Sequence, residues 1–563
     1  MRYRLLRCTS ALCVGETDDA CPWRGKTVTC VETGVQSVYD FAQGVSSPIA
    51  KRLTPEHKEF CREMAANHLR PLRIRYALSR KFDTPLEQLP SLTQVQNFVN
   101  YYSRKYLDNH DQVDVIKAWV NCKAFTGSET ETQPFTFGWE TDSDAKLVVG
   151  NGSDANLFVI GVTTKAMLLR MNRPPESFVF HLDATYKTNQ CDYPVVAVGI
   201  SDSSRAFHLV ALLVVSQETE AVFQDVLLAL KRGYAWLART ELRVMYALAD
   251  ASQTQFKALQ TAFGNSGPYQ FLMCFFHVME KVHKDMRGFP SGVAGMIVRD
   301  LYDMHFSRSQ YVFVRLRDAA LKRWLEDPSL VAFSKYMAGQ WLYGRFCCWQ
   351  AFATPSGFAT TNNPVETFNA SLKRDYTLRR RLKMGTLLQE LSNCCTAASE
   401  TVQPFHYRAV PAKTLMRRAA DTRRGDLLAL SDGYQFEPTC AGPPQVVRVL
   451  SRRPPRIAVA PNKRSEEGIA VSAQMGTNYA RKEVEGQPWG GWPVNLHRHW
   501  CPCGYWFMVG SCVHVVFALW ATAHVDSNGQ EVLVSRRKRR RSANAGAQQG
   551  GRSRSIGPAH SFE

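Results

Sequence analysis

The sequence predicts an α/β protein in which a mixed sheet is covered by helices and flanked by small zinc-binding and helical modules. Three observations predict it. Between Ser177 and Val278, apolar segments of strand length alternate with amphipathic helical ones. Two of those strands end in aspartate. Near the C-terminus, Cys501, Cys503, Cys512 and His514 crowd into one short segment.

In chain order, SFVFHLDAT reads as a strand, and a turn around Thr188–Asp192 leads into a second, YPVVAVGIS. FHLVALLVVS is a third strand, EAVFQDVLLALKR an amphipathic helix and RVMYALAD a fourth strand. QTQFKALQTAF is again helical, and YQFLMCFFHV reads as a fifth strand. Hairpin-joined strands that feed βα units imply a mixed sheet. This order resembles the ribonuclease H-like fold. Residues 278–355, with Trp324, Trp341 and Trp349, read as helical, and the whole catalytic-type domain is placed at 135–400.

The flanking segments differ in composition. Residues 1–50 carry Cys8, Cys13, Cys21 and Cys30, whose loose spacing fits either a zinc site or scattered free thiols. Residues 51–110 predict three short basic helices, read as a helix-turn-helix-like DNA reader or as a plain helical lead-in. Residues 109–155 are mixed, with short strands at best. Residues 401–490, rich in Pro, Arg and Gly, read as a partly flexible linker. Residues 491–525 hold the cysteine-histidine segment, and residues 526–563 read as a disordered basic tail.

Charge narrows the partners. Lys and Arg total 69 against 50 Asp and Glu, a net charge of +19. Residues 535–563 hold eight cations and one acid, which leaves +12 on the rest of the chain. A basic body fits a polyanion such as nucleic acid, and the run Arg536–Arg541 reads as a nuclear localisation signal. The longest apolar runs are too short to span a bilayer, and no secretory leader is legible. The expectation is a soluble, intracellular, nuclear protein with no membrane partner. In such a compartment sixteen cysteines suit metal better than disulfides. The C-x-C-x8-C-x-H spacing of Cys501, Cys503, Cys512 and His514 matches a closed tetrahedral zinc site.

The candidate chemistry lies in three acids. Asp183 closes FVFHLD, and Asp250 closes VMYALAD. On parallel neighbouring strands both carboxylates would project from one sheet edge, where ligand sites of open α/β sheets lie. Each alone reads as a turn cap. Glu366, in TNNPVETFNASLK, sits three residues after the expected N-cap Asn363, with Pro364 between them. That is a capping-box position, and Glu366 therefore reads either as a cap or as a third ligand. Three carboxylates would make a hard oxygen cage suited to Mg²⁺ or Mn²⁺. Lys187 and Lys373 read as phosphate contacts or as surface lysines, and His208 as a satisfied core histidine.

HLDATYKTN, ALADASQ, CFFHV and TTNNPVETFN, in this order, resemble the catalytic core of Mutator-like element (MULE) transposases. The WCPCGYWFMVGSCVH segment resembles the SWIM zinc finger often found after that core. The resemblance covers about 177–400 and 495–522. It implies that Asp183, Asp250 and Glu366 form a DDE triad holding two Mg²⁺ or Mn²⁺ ions. It also implies that the helical stretch after Asp250 is the family's insertion. The implied activity is metal-dependent cleavage of transposon ends and their transfer to target DNA, by a homo-oligomer bound to terminal inverted repeats. Cys274 and His277 match the family's C-x-x-H signature, as candidate metal ligands, a buttress to the site or core residues. The alternative is a domesticated, MULE-derived transcription regulator that binds DNA without transposing it.

Overall fold

The computed structural model describes residues 1–7, 24–40, 52–141, 147–265, 267–431, 446–452 and 466–522. The chain divides into two compact units. One holds residues 1–118, 187–192 and 380–390, and the other the remainder.

In the first unit, β1 (Arg2–Arg7), β2 (Arg24–Thr29) and β3 (Gln36–Asp40) form an antiparallel sheet. Cys30 follows β2 as a half-buried free thiol. Cys8, Cys13 and Cys21 lie outside the described residues, as does the basic tail. α1 (Pro55–Ala66), α2 (Pro71–Lys81) and α3 (Leu92–Tyr106) are the three helices expected there. Their starts follow from local chemistry. Thr54 accepts from His57 N, Pro71 opens α2, and Ser91 with Gln94 forms a capping box before α3. Phe60, Ile74, Leu78, Val95 and Val99 close a small core between them. α4 (Val113–Cys122), of which residues 113–118 belong to this unit and the rest to the other, falls in the stretch read as mixed, where Ile116 and Val120 recur at helical spacing and are buried.

The second unit is built on a seven-stranded mixed sheet. β4 (Phe135–Phe137) is followed by the short pair β5 (Glu140–Thr141) and β6 (Leu147–Val148), then β7 (Val159–Thr163) and the single-turn α5 (Lys165–Leu168). Next come β8 (Val179–Thr185), β9 (Val195–Ser201) and β10 (Phe207–Val215). α6 (Glu220–Ala238), β11 (Tyr246–Ala249), α7 (Gln253–Phe263) and β12 (Gln270–Met273) complete the alternation. The strand order is β12-β11-β8-β9-β10-β7-β4. β12, β11 and β8 run parallel, and every other pairing is antiparallel. The hairpin and crossover strands are those expected, and β7 and β4 extend the sheet past β10. β9 and β10 are buried along nearly their whole length, so they read as continuous apolar runs.

The fifth strand is shorter than expected. Strand pairing stops at Met273, and CFFHV begins a helix, α8 (Phe275–Asp285). Two adjacent phenylalanines favour a strand locally, but Phe275, Val278, Met279 and Val282 are buried at helical spacing and decide the outcome. α9 (Ser291–His305), α10 (Gln310–Glu326) and α11 (Val331–Met337) continue the helical stretch, with Trp324, Trp341 and Trp349 in its core. α12 (Asn363–Asp375) and α13 (Met384–Glu400) follow.

Residues 401–490 also depart from expectation, because much of this range is folded. α14 (Lys413–Arg424), β13 (Leu428–Leu430), β14 (Val446–Ser451) and α15 (Glu466–Arg481) lie within it. β15 (Trp492–Asn495) completes an antiparallel sheet β13-β14-β15, and α16 (Gly504–Val509) and α17 (Val513–Thr522) end the described chain. Val447, Val449, Trp492 and Val494 pack with Leu415, Ala419 and Phe517, so strands distant in sequence share one core. This module sits close against the main core: Gly357 N donates to Met508 O at 3.2 Å. Gly510, with φ 71°, approaches so nearly that a Cβ there would lie 2.6 Å from Ala409 Cβ. No helix among the described residues is long and apolar enough to cross a membrane.

Two fully buried histidines predict how acid acts on this fold. His305 stacks on Phe275 at 3.7 Å between ring centroids, faces Trp349 O at 2.8 Å through Nδ1 and meets the Tyr479 hydroxyl at 2.8 Å through Nε2. Burial lowers its pKa to about 3, and lowers that of His181 to about 4. The folded values lie below the ordinary one, so the stabilisation is complete above about pH 6.5 and is lost as pH falls toward the folded values. Each neutral histidine then costs about 2 kcal/mol of stability at pH 5. Thermal melts at pH 7.5 and 5 are expected to show a marked loss, and a visibly smaller loss in His305→Gln, whatever its stability at pH 7.5. Equal pH sensitivity in the two proteins would count against this assignment.

Candidate functional site

Sheet register brings the first two acids together. Parallel pairing of β8 with β11 ends at His181 opposite Leu248. Asp183 and Asp250 each lie two residues beyond that pair, on strands that pack about 4.8 Å apart. Both therefore sit at the carboxyl end of the parallel strands, as the sequence led one to expect. α12 supplies the third acid, and its start differs from expectation. The N-cap is Asn362, not Asn363, so Glu366 stands at the fourth helical position and not at the third. The cap's own N–H is already used, donating to Cys274 Sγ at 3.2 Å. Its side chain is also taken, with Nδ2 donating to Asp250 Oδ1 at 3.4 Å and Oδ1 lying 3.1 Å from His181 Nδ1. No capping box exists here.

His277, in the first turn of α8, stands between two of the acids. Nδ1 lies 2.8 Å from Asp250 Oδ1, and Nε2 lies 3.7 Å from Glu366 Oε1. Burial opposes a charged imidazole, but Asp250 and the Cys274 thiol outweigh it and hold the pKa up at about 12. Asp183 moves the other way. Burial first, then the charges of Asp250 and Glu366, push its carboxyl to about 7, although Asn369 Nδ2 donates to it at 2.6 Å. Burial and the neighbouring carboxylates thus both disfavour a second negative charge at Asp183.

Asn362, Asn369 and His181 were not singled out from the sequence. Asn369 had a legible signal, since it lies three residues after Glu366 on the same helix face. His181 shares a strand face with Asp183; its ring is fully buried, with Nε2 2.8 Å from Ser201 Oγ. The role of Asn362 depended on a helix start that the sequence reading placed one residue late. The near partners of Cys274 and His277 are Asn362, Asp250 and Glu366. His208 is buried against Asp202, 3.2 Å away, as a satisfied core histidine.

The second cluster is compact. Cys501, Cys503, Cys512 and His514 are all buried, and their ligand atoms lie within 4.8 Å of one another. Among the described residues no other His/Cys/Asp/Glu group is so tightly gathered. A bridge between Asn495 and Trp500 turns the chain just before Cys501. Cys503 caps α16, its Sγ accepting from Trp506 N at 3.3 Å. Cys501 Sγ lies 3.6 Å from His514 Nδ1, while His514 Nε2 is buried with no hydrogen-bond partner among the described residues. Three thiols and an imidazole with an orphaned nitrogen fit a structural metal such as zinc.

A family model of the MULE transposase domain matches residues 179–281. The matched stretch carries Asp183, Asp250, Cys274 and His277, and stops short of Glu366 and of the cysteine-histidine cluster. No curated protein matches the chain.

The metal reading of the cluster predicts about one tightly held zinc per chain at this site. Cys501→Ser with Cys503→Ser should release it and lower the melting temperature, because the ligands lie inside the core that joins β13, β14 and β15 to α17. Elemental analysis showing undiminished zinc in the double variant would refute the assignment.

Proposed function

We propose that this chain is a DDE-type DNA transposase of the Mutator-like class, with a ribonuclease H-like core and a C-terminal SWIM-type zinc finger. The observation that carries the proposal is the convergence of Asp183, Asp250 and Glu366, from two parallel strands and a later helix, on one cleft with His277. The match to the MULE transposase domain supports it, as does the basic charge of the chain.

The donors are hard carboxylate oxygens, which suit Mg²⁺ or Mn²⁺, and their mutual repulsion supplies the affinity. The chemistry of a bound pair of such ions is in-line displacement at phosphorus, with water or a DNA 3′-hydroxyl as the attacking group. The protein's own residues do the positioning. Asn369 orients Asp183, Asn362 and His277 orient Asp250, and the imidazolium screens Asp250 from Glu366. The proposed substrates are transposon ends and target DNA, engaged by a homo-oligomer. The run Arg536–Arg541 suits both nuclear import and contact with the DNA backbone.

The test uses the full chain and duplexes bearing the sequences that flank its coding DNA. Cleavage should require added Mg²⁺ or Mn²⁺, with zinc left in place. Asp183→Asn, Asp250→Asn and Glu366→Gln should each cut activity by at least about a hundredfold while duplex binding persists. Because Glu366 is not part of a capping box, Glu366→Gln should melt like the parent protein. Normal cleavage by any of the three variants, or cleavage without added divalent ion, would defeat the two-metal mechanism.

A further inference from the structure

A cavity of about 790 Å³ opens beside Glu366, between the main core and the C-terminal module. Its walls include Arg205 from the β9–β10 turn, Phe276 and Glu280 from α8, Tyr479 from α15 and Tyr505 from α16. From these features we infer that the cavity receives one unpaired nucleotide of the DNA strand next to the bond being cut. The inference rests on the proposed function and names a part of the substrate that the triad itself does not contact.

Arg205 is the first support. It has left-handed backbone, with φ 63°, in a turn that the surrounding structure over-determines. Fully buried Asp202 clamps that turn: Oδ1 accepts from Ser204 N at 2.8 Å and from Ala206 N at 3.0 Å, and Oδ2 accepts from His406 N at 3.0 Å. Among the described residues the Arg205 guanidinium has no hydrogen-bond or ion-pair partner. Burial lowers its pKa, with Tyr505, Tyr479 and Asp202 working against that loss of charge. A braced, strained turn that presents an unpaired guanidinium to a cavity is suited to a phosphate.

The rest of the wall suits a base. Phe276, Tyr479 and Tyr505 line it with aromatic rings, and stacking on a ring is open to any base. Two of these rings are fixed in place. The Tyr479 hydroxyl is held by His305 at 2.8 Å, and Tyr505 lies under Arg418 at 4.5 Å. Glu280, whose Oε1 already accepts from Lys284 Nζ at 3.3 Å, adds a carboxylate to the wall. A bare phosphate would engage Arg205 and leave most of the volume unused, whereas a nucleotide also brings a base to the aromatic wall. The cost of unpairing one nucleotide is comparable to one stacking contact plus one charged phosphate contact.

The experiment measures binding in buffer without Mg²⁺ or Mn²⁺, so it is independent of cleavage. The probes are a Y-forked duplex with 2-aminopurine in its unpaired arm and a blunt duplex of the same sequence. The full chain should bind the fork more tightly and quench its fluorescence. Arg205→Gln should weaken fork binding about tenfold and blunt-duplex binding less than about twofold. Gly476→Phe provides an independent test. Gly476 lines the cavity, and a Cβ there meets nothing within 4 Å, so the ring fills the space without a clash at its root. It should abolish the fork preference without lowering the melting temperature. Unchanged fork preference in both variants would overturn the inference and leave metal-dependent cleavage standing. Inorganic phosphate that displaces the fork but not the blunt duplex would also overturn it, by showing that Arg205 takes a bare anion. Conversely, cleavage that ignores divalent ions would sink the proposed function without altering the fork result.

Discussion

Carboxylates drawn together in a partly buried cleft repel one another, and something positive must be held against them. That constraint organises this protein. Asp183 is pushed to about 7 by burial and by its two acidic neighbours, and His277 is pulled up to about 12 between Asp250 and Glu366. The arrangement needs β8 and β11 parallel and in register, a helix that starts at Phe275, and another that starts at Asn363. A shift of one residue in any of them would turn an acid or the imidazole away.

The polar groups behind the cleft tie those elements together. Asn362 contacts His181 on β8, Asp250 after β11 and Cys274 before α8, and Ser201 on β9 completes the set through His181. Buried polar networks stabilise only when their members are paired, and then they specify one arrangement in preference to its neighbours. Here the network spans the elements that carry all three acids. The helix cap is thereby coupled to the site: the amide that would close a capping turn is spent on an aspartate and a histidine.

The C-terminal module follows a different logic. Its sheet is small, and its core contains the thiols of Cys501, Cys503 and Cys512. A module of this size gains from a cross-link at its centre, which the cysteine-histidine cluster offers once it is metallated. Its packing against the main core, with Gly357 and Gly510 in near contact, forms one wall of the open cavity beside Glu366. The position of the cysteine-histidine segment thus bears on the size of that cavity.

By itself the sequence determined what depends on near neighbours in the chain. Alternation and helical spacing marked β8, β9, β10, α6, β11 and α7, and the close spacing of three cysteines and a histidine marked the second cluster. Asp183 and Asp250 stood out as acids closing apolar runs, although β8 itself continues through Asp183 to Thr185. Tertiary structure decided the rest. CFFHV has strand propensity, yet it is a helix because Phe275, Val278 and Met279 face one core. Glu366 looked like a capping residue until Asn362, one position earlier, took the cap and gave its side chain to Asp250 and His181. The strands of 401–490 became visible only through pairing with β15. In each case the deciding partner lies tens to hundreds of residues away, where no local pattern reaches, and burial against that partner outweighs local preference.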